Sequence, residues 1–440
     1  MTPASFRLAS VAAAMFAASP AFAQASNTAV KIDGADTAWM IGATGLVLMM
    51  TIPGLALFYA GMVRKKNVLA TMAQSLAATF LVSILWAFIG YSLAFTGDGA
   101  IIGTFNRVFL QGMTLESISP WAKTIPEALF MMYQMTFAII TVALVAGSVA
   151  DRLRFSAYLI FCALWLLLVY VPIAHWVWGG GFLGHYGLID FAGGTVVHLN
   201  AGIAGLTAAY VVGLRRGYGH ENLAPFDLTL AVIGTGLLWV GWFGFNGGSA
   251  LGANSRAVFA IVATHLAASA GAFTWMALEW WTRGKPSVLG MISGAVAGLG
   301  TITPASGFVL PMQAVLIGVI AGAICFWACT WLKIKYGYDD SLDVFGVHGI
   351  GGLTGTLLAG VFAVGALSAS PDLPGGIPGL LEGNPHQLVA QAFGVAVTIL
   401  WSGIATYLIF KAIELIVPLR VRQEDEVMGL DVSQHGEALQ

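Results

Sequence analysis

The segment 127–149 reads EALFMMYQMTFAIITVALVAGSV and carries no charged residue after Glu127. A run of about 20 apolar residues is long enough to cross the hydrocarbon core of a bilayer as an α-helix. Similar runs recur along the chain, which is 58% hydrophobic and 9% charged over 440 residues, whereas roughly 25% of an average soluble domain is charged. The sequence therefore predicts an all-α integral membrane protein and excludes a soluble globular fold.

Eleven transmembrane helices are predicted from these runs, within a single membrane domain that covers residues 24–417. The loops and tail on one side of the predicted topology hold fourteen Lys and Arg residues, whereas the other side holds only Lys31, Arg107, Lys123 and Arg256. Because positively charged loops stay in the cytoplasm, we expect the N-terminus outside and the C-terminus inside. The expected spans are 37–60, 68–95, 125–149, 156–177, 194–214, 227–248, 257–281, 287–304, 311–334, 344–367 and 387–417.

Residues 1–23 are interpreted as a cleaved signal peptide. Arg7 precedes the short apolar run 8–18, and Ala21-Phe22-Ala23 supplies the small residues that a signal peptidase needs. The alternative is an uncleaved first span, but this run is too short and too rich in alanine to cross a bilayer.

Two pairs of matching patterns indicate an internal repeat. The pattern H-x3-G-x2-G occurs at 198–205 and 348–355, and G-x3-F-x2-G occurs at 54–61 and 241–248. A repeat unit of five spans must enter the membrane the second time from the opposite side, which predicts inverted halves related by an axis in the membrane plane. The last span has no counterpart. Chance spacing in a chain with 55 glycines is the alternative explanation.

His198 and His348 are the central candidates for a conduction site. A lone histidine in a membrane helix is more often a hydrogen-bonded packing residue, but equivalent positions in inverted halves would meet at the centre of the bundle. A neutral imidazole offers one donor and one acceptor, which suits a small polar molecule or a proton. Asp190 lies eight residues before His198, and Asp343 is expected to take the matching place before His348.

Several other kinds of site are not predicted. The two histidines have no acidic residue or further histidine at metal-binding spacing, and the chain has no GxxxxGK[ST] or GxSxG motif. No metal, cofactor, enzyme activity or nucleic-acid partner is therefore expected. Acidic residues within the spans are nearly absent apart from Glu279 and Glu414 near the ends, which disfavours a carboxylate cage for sodium.

Three motifs together resemble the Amt/Mep/Rh ammonium transporters, and the bacterial Amt branch fits best. They are DFAGGTVVH at 190–198, GWFGFN at 241–246 and DVFGVHG at 343–349, and the tail motif GLDVSQHG at 429–436 extends the match. The resemblance begins near residue 37. It implies a homotrimer with one pore per subunit and eleven spans arranged as inverted five-helix halves plus one extra helix.

The resemblance also implies roles for individual pore residues. His198 and His348 match the family's paired pore histidines. Phe137 and Phe245 match the stacked phenylalanines that close the outer mouth of the pore. Phe58 is similar to a pore phenylalanine on the cytoplasmic side. Without the motifs, ordinary packing would be the default reading in a chain with 26 phenylalanines.

The outer recruitment site is implied in the same way. Trp178 and Ser249, together with Phe137, resemble the residues that recruit ammonium, which cation–π contact and a hydroxyl acceptor would stabilise. Asp190 resembles the acid beneath that site, which either orders the helix or supports deprotonation, and we favour the structural role. Ammonium would then cross as ammonia, whereas potassium has no proton to give up and would be rejected by the cost of dehydration.

Residues 418–440 are predicted to form a cytoplasmic regulatory tail. Their acidic composition alone is typical of a solvated tail. The resemblance implies instead that residues 429–436 pack beneath the subunits and assist control by a PII-type signalling protein.

The predicted function is transport of ammonium, and of methylammonium, through the inner (plasma) membrane of a Gram-negative bacterium. The proton is left behind, carried separately or relayed by the histidines, and the resemblance favours net charge movement. The alternatives are an ammonium sensor that acts through a cytosolic partner and an Rh-like channel for ammonia or carbon dioxide. Trp178 and Ser249 favour the Amt branch over the Rh-like channel.

Overall fold

The computed structural model describes residues 31–370 and 373–439, so the predicted signal peptide lies outside the described residues. In this part of the chain, ten helices are long and apolar enough to cross a membrane, and α8 is a shorter apolar helix. In chain order the helices are α1 (Gly34–Met62), α2 (Lys65–Phe95), α3 (Glu127–Val149), α4 (Phe155–Tyr186), α5 (Gly194–Val212), α6 (Leu228–Gly248), α7 (Ser255–Arg283), α8 (Val288–Ile302), α9 (Pro311–Tyr336), α10 (Phe345–Phe362) and α11 (Pro385–Glu414).

Each predicted span corresponds to one of these helices, but α8 is shorter than the predicted 287–304. Its 15 residues rise about 22 Å at 1.5 Å per residue, less than the roughly 30 Å of a hydrocarbon core. The helix ends at Ile302, two residues before Pro304, because proline has no N–H with which to continue the hydrogen-bond ladder of the helix.

The two histidine helices begin in the same irregular way. His198 lies in the π-helical turn Gly194–Leu199 at the start of α5, and His348 lies in the π-helical turn Phe345–Gly349 at the start of α10. Such turns are rare and are frequent at functional sites.

The glycines of the repeated pattern let α5 and α10 cross in backbone contact. A Cβ atom on Gly202 would lie 2.2 Å from the Cα atom of Gly349, and one on Gly352 would lie 2.6 Å from the carbonyl oxygen of Gly194. Small residues at helix crossings allow this approach. The H-x3-G-x2-G spacing therefore brings the two histidine turns together.

The bundle has two distinct ends. The hairpin end carries the antiparallel strands β1 (Ile118–Ser119) and β2 (Ala122–Pro126), which lead into α3. The tail end carries the two short helices of the C-terminal segment, α12 (Gln423–Met428) and α13 (Leu430–His435).

The C-terminal segment packs against the tail end of its own chain. The Oδ1 atom of Asp431 accepts a hydrogen bond of 2.8 Å from the backbone N–H of Ala70, and the N–H of Leu430 donates to Asn67 Oδ1 at 2.8 Å. Asp431 is 1% exposed. A solvated tail, which the acidic composition favoured, is therefore wrong, because the free N–H groups at the start of α2 attract a carboxylate.

Candidate functional site

Asp190 caps the start of α5. Its Oδ1 atom accepts hydrogen bonds from the N–H groups of Gly193 (2.7 Å) and Gly194 (2.6 Å), and its Oδ2 atom accepts from the N–H groups of Thr195 (2.8 Å) and Val196 (3.2 Å). The Thr195 hydroxyl adds a fifth bond of 2.5 Å. The first N–H groups of a helix lack partners within it, so both carboxylate oxygens are used in ordering the turn that carries His198.

His198 and His348 lie side by side in the centre of the bundle. Their Nδ1 atoms are 3.2 Å apart, and their ring planes are 13° from parallel. At this distance one nitrogen donates a proton to the other, because two bare lone pairs would repel each other. The Nε2 atom of His198 has no hydrogen-bond partner among the described residues, so it is free to bond a small polar molecule.

The space around the two rings is narrow and otherwise apolar. Trp242 stacks on His198 with ring centroids 5.4 Å apart and planes 19° from parallel. The remaining walls are mostly aliphatic and aromatic side chains, and they include Met50, Leu55, Phe58, Ile140, Leu144, Val197, Leu238, Phe245 and Val296. We call this space the passage.

Two stacked rings close the passage towards the hairpin end. Phe137 and Phe245 have centroids 4.1 Å apart and planes 19° from parallel, and both are buried. Trp178 stands edge-on to Phe137 at 5.9 Å. The structure thus brings together the aromatic residues that the sequence predicted at this end.

Beyond the stacked rings lies a cavity, the vestibule, lined by Phe137, Trp178 and Ser249 among other residues. Ser249 donates its hydroxyl proton to the carbonyl oxygen of Phe245 at 2.8 Å. The Ser249 lone pairs therefore stay available as acceptors, and the aromatic ring of Trp178 lines the same space.

Tyr133 also lines the vestibule, and the sequence analysis missed it. Its hydroxyl lies 2.8 Å from the carbonyl oxygen of Phe245 and 3.3 Å from Ser249 Oγ, and its ring packs edge-on against Phe137 at 4.9 Å. The available signal was its place four residues before Phe137, which puts both side chains on one face of α3.

Trp178 is fixed by the turn that ends before α5. Its Nε1–H donates to the backbone oxygen of Asp190 at 2.8 Å. His175, one turn earlier on α4, contacts the carbonyl oxygens of Ala94 at 2.9 Å and Gly99 at 2.5 Å. The position of the Trp178 ring therefore depends on the same turn that orders His198.

At the other end, a second cavity that reaches the tail end adjoins the passage. Phe58 and His348 line both spaces, whereas Asp343 and Glu279 line only the second cavity. Phe58 is thus placed on the opposite side of the histidines from Phe137.

Asp340, rather than Asp343, occupies the place before α10 that matches Asp190. Asp340 lies eight residues before His348, as Asp190 does before His198, and its Oδ2 atom accepts from the N–H of Phe345 at 2.7 Å. Asp343 was the wrong choice because it takes the left-handed position of the turn, with a φ of 58°. The eight-residue interval was the signal that could have identified Asp340.

Charged side chains surround this second turn. Asp343 pairs with Lys333 at 2.7 Å, and Arg215 bonds Asp339 through its Nη2 atom at 2.7 Å. Arg152, which is fully buried, donates to the backbone oxygen of Asp339 at 2.6 Å. Burial raises the pKa of Asp340, and the Lys333 ammonium opposes this shift.

The ionisation of Asp339 is set by two opposing effects. Burial raises its pKa, but the hydrogen bonds from Arg215 and the charge of Arg152 outweigh burial and bring the pKa below its ordinary value. Asp339 is therefore a carboxylate at neutral pH, and its negative charge compensates the two buried guanidinium groups.

Comparison with known proteins gives one consistent result. The family model described as Ammonium Transporter Family matches residues 38–439. An ammonium transporter of Aquifex aeolicus is 48% identical over 419 residues, covering 94% of this chain and 95% of the relative. An ammonium transporter of Bacillus subtilis is 46% identical over 402 residues, covering 91% of this chain and 97% of the relative.

Solved structures agree. Mep2 of Saccharomyces cerevisiae aligns with a TM-score of 0.83 at 36% identity, covering 89% of this chain and 88% of that one. A structure described as a sensor Amt protein aligns with a TM-score of 0.83 at 30% identity, covering 91% and 98%. The resemblance inferred from the motifs is confirmed: this chain is a multi-pass membrane protein that belongs to the ammonium transporter family.

Proposed function

We propose that this protein takes up ammonium by removing its proton near the vestibule and conducting ammonia along the passage. The observation that carries the proposal is the pair of buried imidazoles, with Nδ1 atoms 3.2 Å apart, in an otherwise apolar passage. A neutral imidazole pair can hydrogen-bond ammonia, but it supplies no charge to compensate a desolvated cation.

Recruitment precedes this step and uses the vestibule. Trp178 and Phe137 offer aromatic surfaces to a cation, and Ser249 offers oxygen lone pairs because its proton is bonded to Phe245. Ammonium bound here can donate to Ser249 while it contacts the rings. Methylammonium carries the same donors and is expected to follow the same path.

The stacked Phe137 and Phe245 rings then act as the gate to the passage. Centroids 4.1 Å apart leave no room for a hydrated ion, so the rings must move for each molecule that passes. Ammonium can lose its proton and pass as a neutral molecule. Potassium cannot, and the cost of stripping its water in an apolar passage excludes it.

The proton moves separately in this proposal. The hydrogen bond between His198 and His348 allows one imidazole to receive a proton while the other releases one. Relay of the proton with ammonia gives net inward movement of positive charge. Ammonium should therefore evoke an inward current.

We propose an N-out, C-in topology with eleven spans, α1–α5 and α6–α10 forming inverted halves. Asp190 and Asp340, like His198 and His348, are 150 positions apart and take the same places in their turns. The fourteen Lys and Arg residues assigned to the cytoplasmic side support the orientation. Residues 1–23 would be the signal peptide and residues 24–417 the membrane domain of a homotrimer in a bacterial inner membrane.

The C-terminal segment 418–440 is proposed as a regulatory tail that a PII-type protein reads at the cytoplasmic face. The contacts of Asp431 and Leu430 with the start of α2 support this role, because a partner that moves the tail would act on a transmembrane helix. Sensing is the second candidate function, favoured by the similarity to a structure described as a sensor Amt protein. Sensing without transport predicts ammonium binding but no flux.

The test is flux in proteoliposomes. Vesicles with the native chain should pass methylammonium and exclude potassium, and His198→Ala and His348→Ala should each lower methylammonium flux or admit potassium. His185→Ala, which changes a histidine outside the passage, serves as the control. Native vesicles that pass methylammonium no faster than empty lipid would overturn the transport proposal, and flux without current would overturn the proton relay.

A further inference from the structure

The helix without a repeat counterpart, α11, buries a polar face. Five uncharged polar side chains on α11 are buried, namely Gln387, Gln391, Thr398, Ser402 and Thr406. Polar groups at membrane depth are costly unless they are hydrogen-bonded, and they commonly mark functional positions. The partners of these side chains therefore indicate what α11 contributes.

Gln391 has every hydrogen-bonding position of its amide occupied. Its Oε1 atom accepts from the N–H of Ile189 at 2.9 Å and from Gln387 Nε2 at 3.2 Å. Its Nε2 atom donates to the backbone oxygen of Ile189 at 2.7 Å and to that of Thr356 at 2.9 Å. The amide thus pairs with both backbone groups of Ile189, as a neighbouring β-strand would.

This pairing matters because residues 187–191 form an irregular segment with no helix of their own. Each polar backbone group buried there needs a partner from elsewhere. The backbone oxygen of Asp190 accepts from Trp178 Nε1, and the N–H of Phe191 donates to Pro304 O at 3.1 Å. Gln391 supplies both partners of Ile189, the residue directly before Asp190.

Packing supports the same contact. The side chain of Leu188 lies against Gly394, three residues after Gln391 on α11, where an added Cβ would come within 2.6 Å of the Leu188 side chain. Gln387 donates to the backbone oxygen of Gly187 at 2.8 Å. Consecutive residues of the irregular segment are therefore fixed by one face of α11.

We propose that Gln391 is a positioning residue for the recruitment site and for His198. It fixes Ile189, so that Asp190 stands where its carboxylate can cap α5 and its backbone oxygen can accept from Trp178. Its bond to Thr356 links the same turn to α10, the helix that carries His348. This role rests on the proposed ammonium path, in which Trp178 binds the cation and the histidines line the passage.

The effect on transport follows from which groups depend on the turn. Loss of the amide leaves both backbone groups of Ile189 without partners and removes the link to α10 at Thr356, so the turn relaxes and Trp178 loses its fixed acceptor. Half-saturation by methylammonium should rise by roughly 5-fold, the change expected for about one lost hydrogen bond at the binding site. Potassium exclusion should weaken, because the start of α5 would no longer be fixed.

The experiment compares three variants in proteoliposomes at matched incorporation. Gln391→Leu removes every hydrogen bond, whereas Gln391→Glu keeps the shape. The cost of a buried charge keeps the new carboxyl group protonated, so it retains an acceptor for the Ile189 N–H and one O–H donor in place of two N–H donors. Ser402→Ala is the control, since Ser402 lies on the same buried face but donates to Asn200 O at 2.8 Å, away from the turn. We expect half-saturation to rise most in the leucine variant, less in the glutamate variant and not in the control.

A second measurement does not depend on transport. Hydrogen exchange followed by mass spectrometry should show faster exchange of segment 187–196 in both Gln391 variants than in the native chain and in Ser402→Ala. If the leucine variant does not fold, the glutamate variant gives the result. If the Gln391 variants have the same half-saturation concentration and the same exchange rate as the native chain, the proposal is overturned. The same holds if the variants lose thermal stability while these two quantities stay unchanged. Absence of flux in the native chain would instead overturn the proposed function, and the exchange result would still stand.

Discussion

The turns before α5 and α10 do the same structural task with different chemistry. Before α5, Asp190 accepts five hydrogen bonds from residues 193–196. The donors that fix the backbone of the turn are the indole of Trp178 and the amide of Gln391. None of these donors carries a charge. The hairpin-end turn is therefore held by one carboxylate and neutral partners.

Before α10 the partners are ions. The backbone oxygen of Asp340 accepts from the Lys333 ammonium at 2.6 Å, and that of Asp339 accepts from the Arg152 guanidinium. The Asp340 carboxylate accepts a hydrogen bond from one backbone N–H group, whereas the Asp190 carboxylate accepts hydrogen bonds from four. The tail-end turn is thus held by charged groups that reach it from other helices and loops.

The difference fits the direction in which a cation would travel. A lysine or arginine in the place of Trp178, which lines the vestibule, would raise the electrostatic energy of ammonium beside it, since two like charges at 4 Å repel by about 4 kcal/mol even at an effective dielectric constant of 20. At the tail end the transported species would be leaving, so positive donors there are tolerated. The comparison predicts that equivalent substitutions at the two turns have unequal effects.

The largest difference should come from the two capping carboxylates. Asp190→Asn keeps the shape of the side chain but puts an NH2 group against backbone N–H groups, so we expect methylammonium flux to fall to the level of empty lipid. Asp340→Asn disturbs one such bond, so at least half of the native flux should remain. Methylammonium uptake by proteoliposomes at matched incorporation measures the flux of both variants. Equal losses of flux in the two variants would contradict the proposed difference between the two turns.

The next effect concerns stability rather than flux. Arg215→Leu leaves the Asp339 carboxylate buried without its main partner, and breaking a buried ion pair in this way costs roughly 3–5 kcal/mol. Thermal unfolding in detergent should therefore begin at a markedly lower temperature. Arg216→Leu, at the exposed neighbouring position, is the matched control. Similar unfolding temperatures for the two variants would show that the Arg215–Asp339 ion pair does not stabilise the fold.

A smaller effect should appear at the indole of Trp178. Trp178→Phe keeps an aromatic surface for the cation but removes the donor to Asp190, a hydrogen bond worth about 1 kcal/mol. Half-saturation by methylammonium should rise about 5-fold with little change in maximal flux. Lys333→Met removes the corresponding donor at the tail-end turn and should leave half-saturation unchanged, so a rise in that variant would contradict the assignment of binding to the hairpin end.

The smallest effect is a dependence on pH at the tail-end turn. The folded pKa of Asp339 lies below its ordinary value, so its contribution to stability is present above the unfolded value of about 3.9 and is lost as pH falls through the folded value. Native protein should lose stability on acidification below about pH 4. In Asp339→Asn, stability should fall less steeply below this pH than in the native protein. If stability falls equally steeply in the variant, other carboxylates cause the loss.

Much of the fold was predictable from local sequence. The helices follow from apolar runs, because each run must satisfy its backbone hydrogen bonds internally. The aromatic stack of Phe137 and Phe245 and the proximity of His198 and His348 were expected from motifs, and the glycines at 202 and 352 give the physical reason for the histidine contact.

The parts that sequence reasoning missed depend on contacts between distant positions. Gln391 bonds a residue 202 positions earlier in the chain, and no periodicity or motif marks such a pair. Asp340 was passed over for Asp343 because both precede α10. The eight-residue interval to the histidine separates them in the sequence, and the positive φ of Asp343 separates them in the structure. The short α8 reflects Pro304, whose effect on a helix end can be read only to within a few residues.

The bond between Asp431 and Ala70 has a consequence for biosynthesis. It joins positions 361 residues apart, so the start of the second helix remains incomplete while almost the whole chain is being made. A ribosome must translate as far as Asp431 before that helix gains this partner. Synthesis through Asp431 is thus a condition for satisfying the start of α2, and a product truncated before Asp431 carries a defect far from the point of truncation.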